Sequence, residues 1–159
     1  MAQTELTDIR WARLTRWRAA MAHFFDMPAI CQASPSFREL QVSGRDTAQC
    51  ALFAGWLEAS LGWKGRVAYR CDPGESTDPM QNVTLSGPEG ELHLQMLPHT
   101  TCLDTQARLG GAVIASRVVS LGDQGPRALL AEELRVRSRD LAFEQALERA
   151  LERSAQHHP

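Results

Sequence analysis

A short segment near the start of the sequence, 8–18, concentrates side chains that can stack and form ion pairs. It holds two of the four tryptophans together with four arginines. A guanidinium group can stack on an indole face and can pair bidentately with a carboxylate, and tryptophan and arginine are both enriched at protein interfaces. The chemistry that this segment predicts is therefore recognition of another protein.

If the segment continues as one helix to Asp26, a stripe of large apolar side chains runs along one face. Its members recur at spacings of three and four, and they are Trp11, Leu14, Trp17, Met21, Phe24 and Phe25. Two interpretations are open: the stripe and its arginines form a partner-binding surface, or the helix packs on the protein itself and its arginines lie in water. The candidate partner-binding residues are Trp11, Arg13, Trp17 and Arg18, with Trp63 adjoining them.

Candidates for catalysis are few. His93 alternates within a predicted strand and His99 follows a proline, so each could face Cys71 or Cys102. A cysteine nucleophile, however, needs a base within hydrogen-bond reach. The sequence has no Gly-x-Ser-x-Gly elbow, no His-Glu-x-x-His pair and no phosphate-cradling glycine loop. We therefore expect no catalytic residue, no metal site and no cofactor.

A second group of arginines falls on predicted strands; its members are Arg66, Arg70, Arg108 and Arg117. A guanidinium fork matches the geometry of a phosphate group, and a period of two places Arg66 and Arg70 on the same face. This pattern indicates a small-molecule module that senses a sugar phosphate or a nucleotide. A solvated outer sheet face is the alternative.

Composition and charge limit the classes of partner. A chain of 159 residues with 43% apolar content can bury one core, so we expect a single domain over 1–159, with 1–7 and 154–159 frayed. Seventeen basic against nineteen acidic residues argue against a nucleic-acid binder. No apolar run approaches the roughly 18 residues of a membrane span, and no secretion signal begins the chain, so we expect a cytoplasmic protein that binds no membrane. The four cysteines lack Cys-x-x-Cys spacing, which predicts free thiols.

The elements that position these residues follow from turn residues and hydrophobic period. After the first helix, Pro28 begins a stretch to Pro35 that we expect to be irregular, because proline opposes a continuing helix. A strand within 36–43 precedes a helix that runs from its cap, Asp46, to its stop, Gly62. The next strand begins near residue 65, and since a helix connects the two strands, they should pair in parallel.

The second half of the chain is predicted to form antiparallel strands and two helices. Alternating residues at 81–85 and 91–96 flank a five-residue loop and indicate a hairpin, and further strands are expected near 101–107 and within 111–121. Pro126 begins one helix and Ser138 caps another. Their expected buried leucines include Leu129, Leu130 and Leu134 in the first and Leu141, Leu147 and Leu151 in the second. The predicted fold class is α+β, with helices packed on a mixed, mainly antiparallel sheet.

Three motifs occur in an order that brackets nearly the whole chain. The first, at 8–15, is Asp-aliphatic-x-Trp-x-Arg-Leu-Thr; the second, at 56–63, joins Trp-Leu to Leu-Gly-Trp; the third, at 131–135, is Ala-Glu-Glu-Leu-Arg. Together they resemble the C-terminal domain of the OpcA family, the glucose-6-phosphate dehydrogenase assembly proteins. Members tend to have proline where this chain has Arg16, and they usually carry another domain before the first motif.

The resemblance implies a specific function, which composition and residue spacing alone do not indicate. It implies a non-enzymatic assembly factor, or allosteric activator, that binds glucose-6-phosphate dehydrogenase in the oxidative pentose phosphate pathway. The sensing module with strand arginines is the alternative. The resemblance also leaves a thiol switch open, although the cysteines cannot be matched to a pair.

Overall fold

The computed structural model describes residues 8–63, 67–73, 77–135 and 140–156. These residues form six α-helices, a short 3-10 helix at Ser34–Ser36 and six strands, which confirms the α+β class. The helices are α1 Ile9–Arg13, α2 Thr15–Phe24, α3 Pro28–Ala33, α4 Thr47–Leu61, α5 Pro126–Glu133 and α6 Leu141–Gln156. The strands are β1 Glu39–Ser43, β2 Ala68–Asp72, β3 Asn82–Gly87, β4 Gly90–Met96, β5 Cys102–Leu109 and β6 Ala112–Ser120.

The six strands form one mixed sheet in the order β2-β1-β3-β4-β5-β6. As predicted, β1 and β2 are parallel and connected through α4, with Val42 opposite Cys71. All other neighbouring strands are antiparallel. The mainly antiparallel sheet therefore follows the prediction.

The sheet buries one face and leaves the other polar. Alternate residues of the four inner strands point into the core; they include Leu40, Val42, Val83, Leu85, Leu92, Leu94, Leu103 and Ala107. The opposite face carries polar side chains, such as Thr84 and Gln95, which both hydrogen-bond to the ring of His93. Such alternation is typical of an antiparallel sheet that is covered by helices on one side.

Helix α4 lies at the centre of the helical layer. Its cap is the predicted one, because Asp46 accepts a hydrogen bond from the backbone N–H of Gln49 at 3.1 Å. Gly62 ends the helix in the left-handed conformation, with φ of 64°. Helix α6 packs closely on α4, since a Cβ atom at Gly55 would lie 2.3 Å from the backbone oxygen of Ala146.

The N-terminal stripe forms two helices instead of one. The break falls at Leu14, whose N–H donates to the Trp11 carbonyl at 3.0 Å in a tighter turn than an α-helix makes. The stripe itself is as predicted, because five of its six members are buried and Phe25 is half-buried. Packing of this stripe on the sheet and on α4 completes a single hydrophobic core.

Other details differ from the predictions. Residues expected to be irregular form α3, because proline at a first helical position has no N–H to leave unpaired. The hairpin pairs Gly87 with Gly90, so its loop is two residues long instead of five. Leu130, Leu134, Leu141 and Leu151, which we expected to be buried, are exposed.

The first turn of α6 is capped by Asp140, whose side chain accepts a hydrogen bond from the Phe143 backbone N–H at 3.0 Å. Ser138, the predicted cap, lies outside the described residues. At the other end of this helix, residues 154–156, which we expected to fray, are helical.

Within the described part of the chain, we find no helix with the length and apolar character required to span a bilayer.

Candidate functional site

Trp11 is the residue around which the N-terminal helices are anchored. Its indole Nε1–H donates a hydrogen bond to Asp140 Oδ2 at 2.7 Å, and its ring lies 5.4 Å from the ring of Phe143. The guanidinium carbon of Arg18 lies 3.6 Å from the centre of the Trp11 ring. Arg18 and Trp11 therefore form a stacked pair within the protein itself, and the pair joins α1 and α2 to the start of α6.

Charges around this pair are partly desolvated. Burial lowers the pKa of Arg18, and the carboxylates of Asp140 and Glu133 oppose that shift. Burial also raises the pKa of Glu133, Asp140 adds to the increase, and Arg18 counteracts it. The buried Nε atom of Arg18 has no hydrogen-bond partner. Arg18 is therefore held mainly by stacking and by the field of two carboxylates.

The tryptophans predicted to contact a partner are buried in the protein's own core. The exposed fractions of Trp11 and Trp17 are 2%, and that of Trp63 is 6%. For these rings the structure supports the second interpretation, a helix docked on its own domain, because the apolar stripe has the sheet and α4 to cover it. Their indole faces are not available to a partner in this structure, and this corrects the direct-contact role that we assigned to them.

Trp63 also does not adjoin the other two tryptophans. It follows the C-terminal end of α4 and contacts Phe37, with 6.4 Å between the ring centres. Trp17, in contrast, lies near Gln49 in the first turn of α4. A helix of this length separates its two ends by about 22 Å. The predicted set is therefore divided between two ends of the core.

The four arginines of the segment have different surroundings. Arg10 is exposed and pairs with Asp46, with 2.8 Å between Nε and Oδ2. Arg16 is exposed, and Arg13 is half-buried. Among the residues that the structure describes, neither Arg13 nor Arg16 has an ion pair or a side-chain hydrogen bond. These two guanidinium groups are the ones that remain available to a ligand or a partner.

Arg13 and Trp17 line a cavity of about 280 Å³ that the sequence did not predict. Its wall also includes Gln49 from α4 and residues from the segments before β3, after β4 and after β6. A wider polar groove of about 690 Å³ adjoins it and shares Asp78 and Thr100. These residues come from distant parts of the chain, so no local motif could have identified them.

The strand arginines do not converge on a ligand site. Arg70 and Arg108 both lie on the polar face of the sheet, because their register partners, Gln41 and Glu91, do so. Strands β2 and β5 are four positions apart, which corresponds to about 19 Å. Arg117 lies opposite Thr105 on the other face, and Arg66 is outside the described residues. The arrangement corresponds to the alternative reading of these residues, a solvated sheet.

Two cysteines, Cys50 of α4 and Cys71 of β2, lie next to each other and form a hydrogen bond. The hydrogen bond from the buried Cys50 thiol lowers the pKa of Cys71 to about 6, although burial opposes this shift. The same hydrogen bond and burial raise the pKa of Cys50, and burial raises that of Tyr69. His93 faces the opposite side of the sheet, so it is not a base for Cys71. All four cysteines are free thiols, as predicted.

Comparison with known proteins points to a single family. Residues 4–147 match a family model described as the C-terminal domain of the glucose-6-phosphate dehydrogenase subunit. A protein of Synechococcus elongatus named putative OxPP cycle protein OpcA is 32% identical over 75 residues, which cover 46% of this chain and 17% of that protein. A protein of Nostoc punctiforme with the same name is 25% identical over an alignment of 183 positions, which covers 92% of this chain and 39% of that protein. The chain thus spans less than half the length of these relatives.

Proposed function

This chain belongs to the family described as the C-terminal domain of the glucose-6-phosphate dehydrogenase subunit, and from that premise we propose that it is a non-enzymatic protein that binds glucose-6-phosphate dehydrogenase. Its role would be that of an assembly factor or allosteric activator in the oxidative pentose phosphate pathway. The observation that carries this proposal is the extent of the family match, which includes every strand and the helices α1 to α5.

The proposed mechanism is differential binding. A protein that binds the active assembly of the dehydrogenase more tightly than its inactive form shifts the equilibrium toward the active form. A tenfold shift requires a preference of only about 1.4 kcal/mol. A few well-placed contacts are enough for such a preference, because a small number of interface residues usually supplies most of the binding energy.

We assign the predicted contact residues two different tasks. Arg13 supplies charge at the surface of the N-terminal helices, and exposed Arg16 extends the positive patch. Arg18 stays stacked on Trp11 and helps to hold these helices in place. Trp11, Trp17 and Trp63 are buried, so they act by fixing the helices that carry these arginines. A partner surface with carboxylates would complement the patch, since guanidinium–carboxylate pairs can form two parallel hydrogen bonds.

Charge reversal tests this surface. We expect the double variant Arg13→Glu, Arg16→Glu to bind the dehydrogenase about tenfold or more weakly, because attraction becomes repulsion at the contact. Binding is measured by biolayer interferometry with the immobilised dehydrogenase, and the activity of the dehydrogenase is followed in parallel. The matched control is Arg117→Glu, which reverses an exposed arginine on the edge strand β6.

The possible outcomes test the proposed function and the proposed contact surface separately. If the unmodified chain neither binds the dehydrogenase at high micromolar concentration nor changes its activity, the proposed function is wrong. If binding occurs and Arg117→Glu weakens it as much as the double variant does, the function stands and the proposed surface is wrong.

A further inference from the structure

We propose that the cavity between Arg13 and Gln49 binds a small organic anion that also carries a hydroxyl or amino group. The anionic group, a carboxylate or a phosphate, would pair with Arg13. The hydroxyl or amino group would donate to the side-chain oxygen of Gln49. This site is separate from the strand arginines and from the stacked Trp11–Arg18 pair.

The first observation concerns Gln49. Its side chain is 98% buried, since only 2% remains exposed, and it lines the cavity in the first turn of α4. Its Oε1 atom has no hydrogen-bond partner. Nearly all buried polar atoms in folded proteins are hydrogen-bonded, so an unpaired, buried amide oxygen on a residue that lines a cavity indicates a missing donor.

The second observation is independent and concerns Arg13. Arg13 lines the same cavity, and among the described residues its guanidinium group has neither a carboxylate partner nor a side-chain hydrogen bond. A half-buried cation is unfavourable without a counter-charge. Because the guanidinium fork matches carboxylate and phosphate groups, an anion is the natural partner.

The rest of the wall determines the size and character of the ligand. Apolar contact comes from Trp17, Met80 and Leu121, hydroxyl groups come from Thr100 and Thr101, and Asp78 adds a carboxylate. A volume of about 280 Å³ lies just below the usual range for ligand pockets, which predicts a small metabolite. The adjoining groove offers room for a longer one.

The loop between β4 and β5 forms a wall of both the cavity and the groove. In this loop His99 has a φ of 57°, and it is the non-glycine residue with a positive φ in the described chain. Hydrogen bonds from Thr100 to the carbonyl of Leu97 and from the Cys102 N–H to the Thr100 hydroxyl hold the loop in place. Unusual backbone conformations persist where the surroundings enforce them, and they are frequent at ligand sites.

The test is a titration of the full chain, followed by ¹H–¹⁵N NMR, with three probes: inorganic phosphate, citrate and glucose 6-phosphate. Citrate represents hydroxylated carboxylates, and glucose 6-phosphate represents hydroxylated phosphate esters. We expect saturable shifts at residues of the cavity with at least one of the two organic probes. Inorganic phosphate should bind more weakly, because one ion cannot satisfy both Arg13 and Gln49.

Two variants locate the binding. Arg13→Gln removes the charge, and Gln49→Met removes the amide while keeping an unbranched side chain of similar length. Each should raise the Kd of the organic probe about tenfold or more, since each removes one of the two polar contacts. Arg16→Gln, the matched control, changes a nearby exposed arginine and should leave the Kd unchanged.

The results decide the proposal in either direction. Loss of affinity in both cavity variants, but not in the control, would support it. The proposal would be overturned if no probe gave saturable shifts up to about 10 mM, or if Arg13→Gln bound the organic probe as tightly as the unmodified chain. Because Arg13 is only half-buried, its variant remains informative even if Gln49→Met fails to fold.

Discussion

Arg18 holds its guanidinium group in a half-buried position. Stacking on Trp11 and the nearby Asp140 and Glu133 compensate for part of the lost solvation. The indole of Trp11 is in turn held by its hydrogen bond to Asp140. These side chains depend on each other, because a desolvated charge is stable only while its counter-charges remain in place. The stacking and charge interactions that could have contacted a partner therefore stabilise the fold.

Cys71 offers a test of how neighbours change a single side chain. Its pKa of about 6 means that it is mainly thiolate at neutral pH, and the thiolate is the form that reacts with alkylating reagents. We expect its rate of alkylation by iodoacetamide to be nearly constant above pH 7 and to fall as the pH drops through 6. An ordinary thiol, with a pKa near 8.5, would still gain reactivity between pH 7 and pH 8. Peptide mass spectrometry measures the rate at each cysteine.

The variant Cys50→Ala provides the control for this pH profile. It removes the thiol whose hydrogen bond lowers the pKa of Cys71, so the midpoint of the profile should move to higher pH. A midpoint near the ordinary thiol value in the unmodified chain would contradict the assigned cause.

At the scale of the elements, helix α4 depends on local residues for its ends and on packing against a distant helix for its interior. Asp46 and Gly62 set its ends through local geometry. Its packing on α6 instead depends on a glycine in the helix interior, where glycine is otherwise unfavourable by roughly 0.5–1 kcal/mol. Gly55 is retained there because the backbone of α6 leaves no space for a side chain.

The variant Gly55→Ala tests this contact between helices. Helix propensity alone predicts a gain in stability of up to about 1 kcal/mol. We expect a loss of about 1–3 kcal/mol instead, because the new Cβ would lie 2.3 Å from the Ala146 oxygen and would force the helices apart. The free energy of unfolding is measured in urea. Ser60→Ala, an exposed change on the same helix, should alter it by less than about 0.5 kcal/mol, and a more stable Gly55→Ala chain would show that α4 and α6 are not in close contact.

At the scale of the whole molecule, the helices cover the apolar face of the four inner strands, whereas the edge strand β6 is mostly exposed. The N-terminal helices and the turn between them contribute six buried side chains to the shared core: Trp11, Leu14, Trp17, Ala20, Met21 and Phe24. Helix α4 packs on β1 and β2, and α6 packs on α4. We therefore propose that the chain folds as one domain in which the arginine-rich segment is an integral part.

Deletion of residues 1–26 tests this single-domain proposal. Burial of a large apolar side chain contributes about 1.5–3 kcal/mol, and a whole domain is stable by only about 5–15 kcal/mol. Loss of the N-terminal helices should therefore abolish cooperative unfolding, as measured by near-UV circular dichroism during heating. A truncated chain that still unfolded in one sharp transition would show that the segment is an appendage.

Much of this architecture is encoded locally. The cap and stop of α4, the parallel pair β1–β2, the β3–β4 hairpin and the apolar stripe of the first helices could all be predicted, because caps, turns and hydrophobic period depend on residues close in sequence. The exceptions include small differences in local geometry: Pro28 begins a helix, the first helix breaks at Leu14, and the hairpin turn is tighter than predicted. Four leucines of the last two helices that we expected to be buried are exposed. The family could also be identified from three short motifs in their order.

Only the tertiary structure decided what the polar and aromatic side chains of the first helices do. Arg10 pairs with a residue 36 positions away and Trp11 with one 129 positions away. The same folding makes Arg13 and Gln49 line one cavity, and it leaves the Arg13 guanidinium group and the Gln49 Oε1 atom without a partner among the described residues. Sequence patterns report which face of an element is apolar, whereas the pairing or isolation of a charge depends on distances between elements that are remote in the chain.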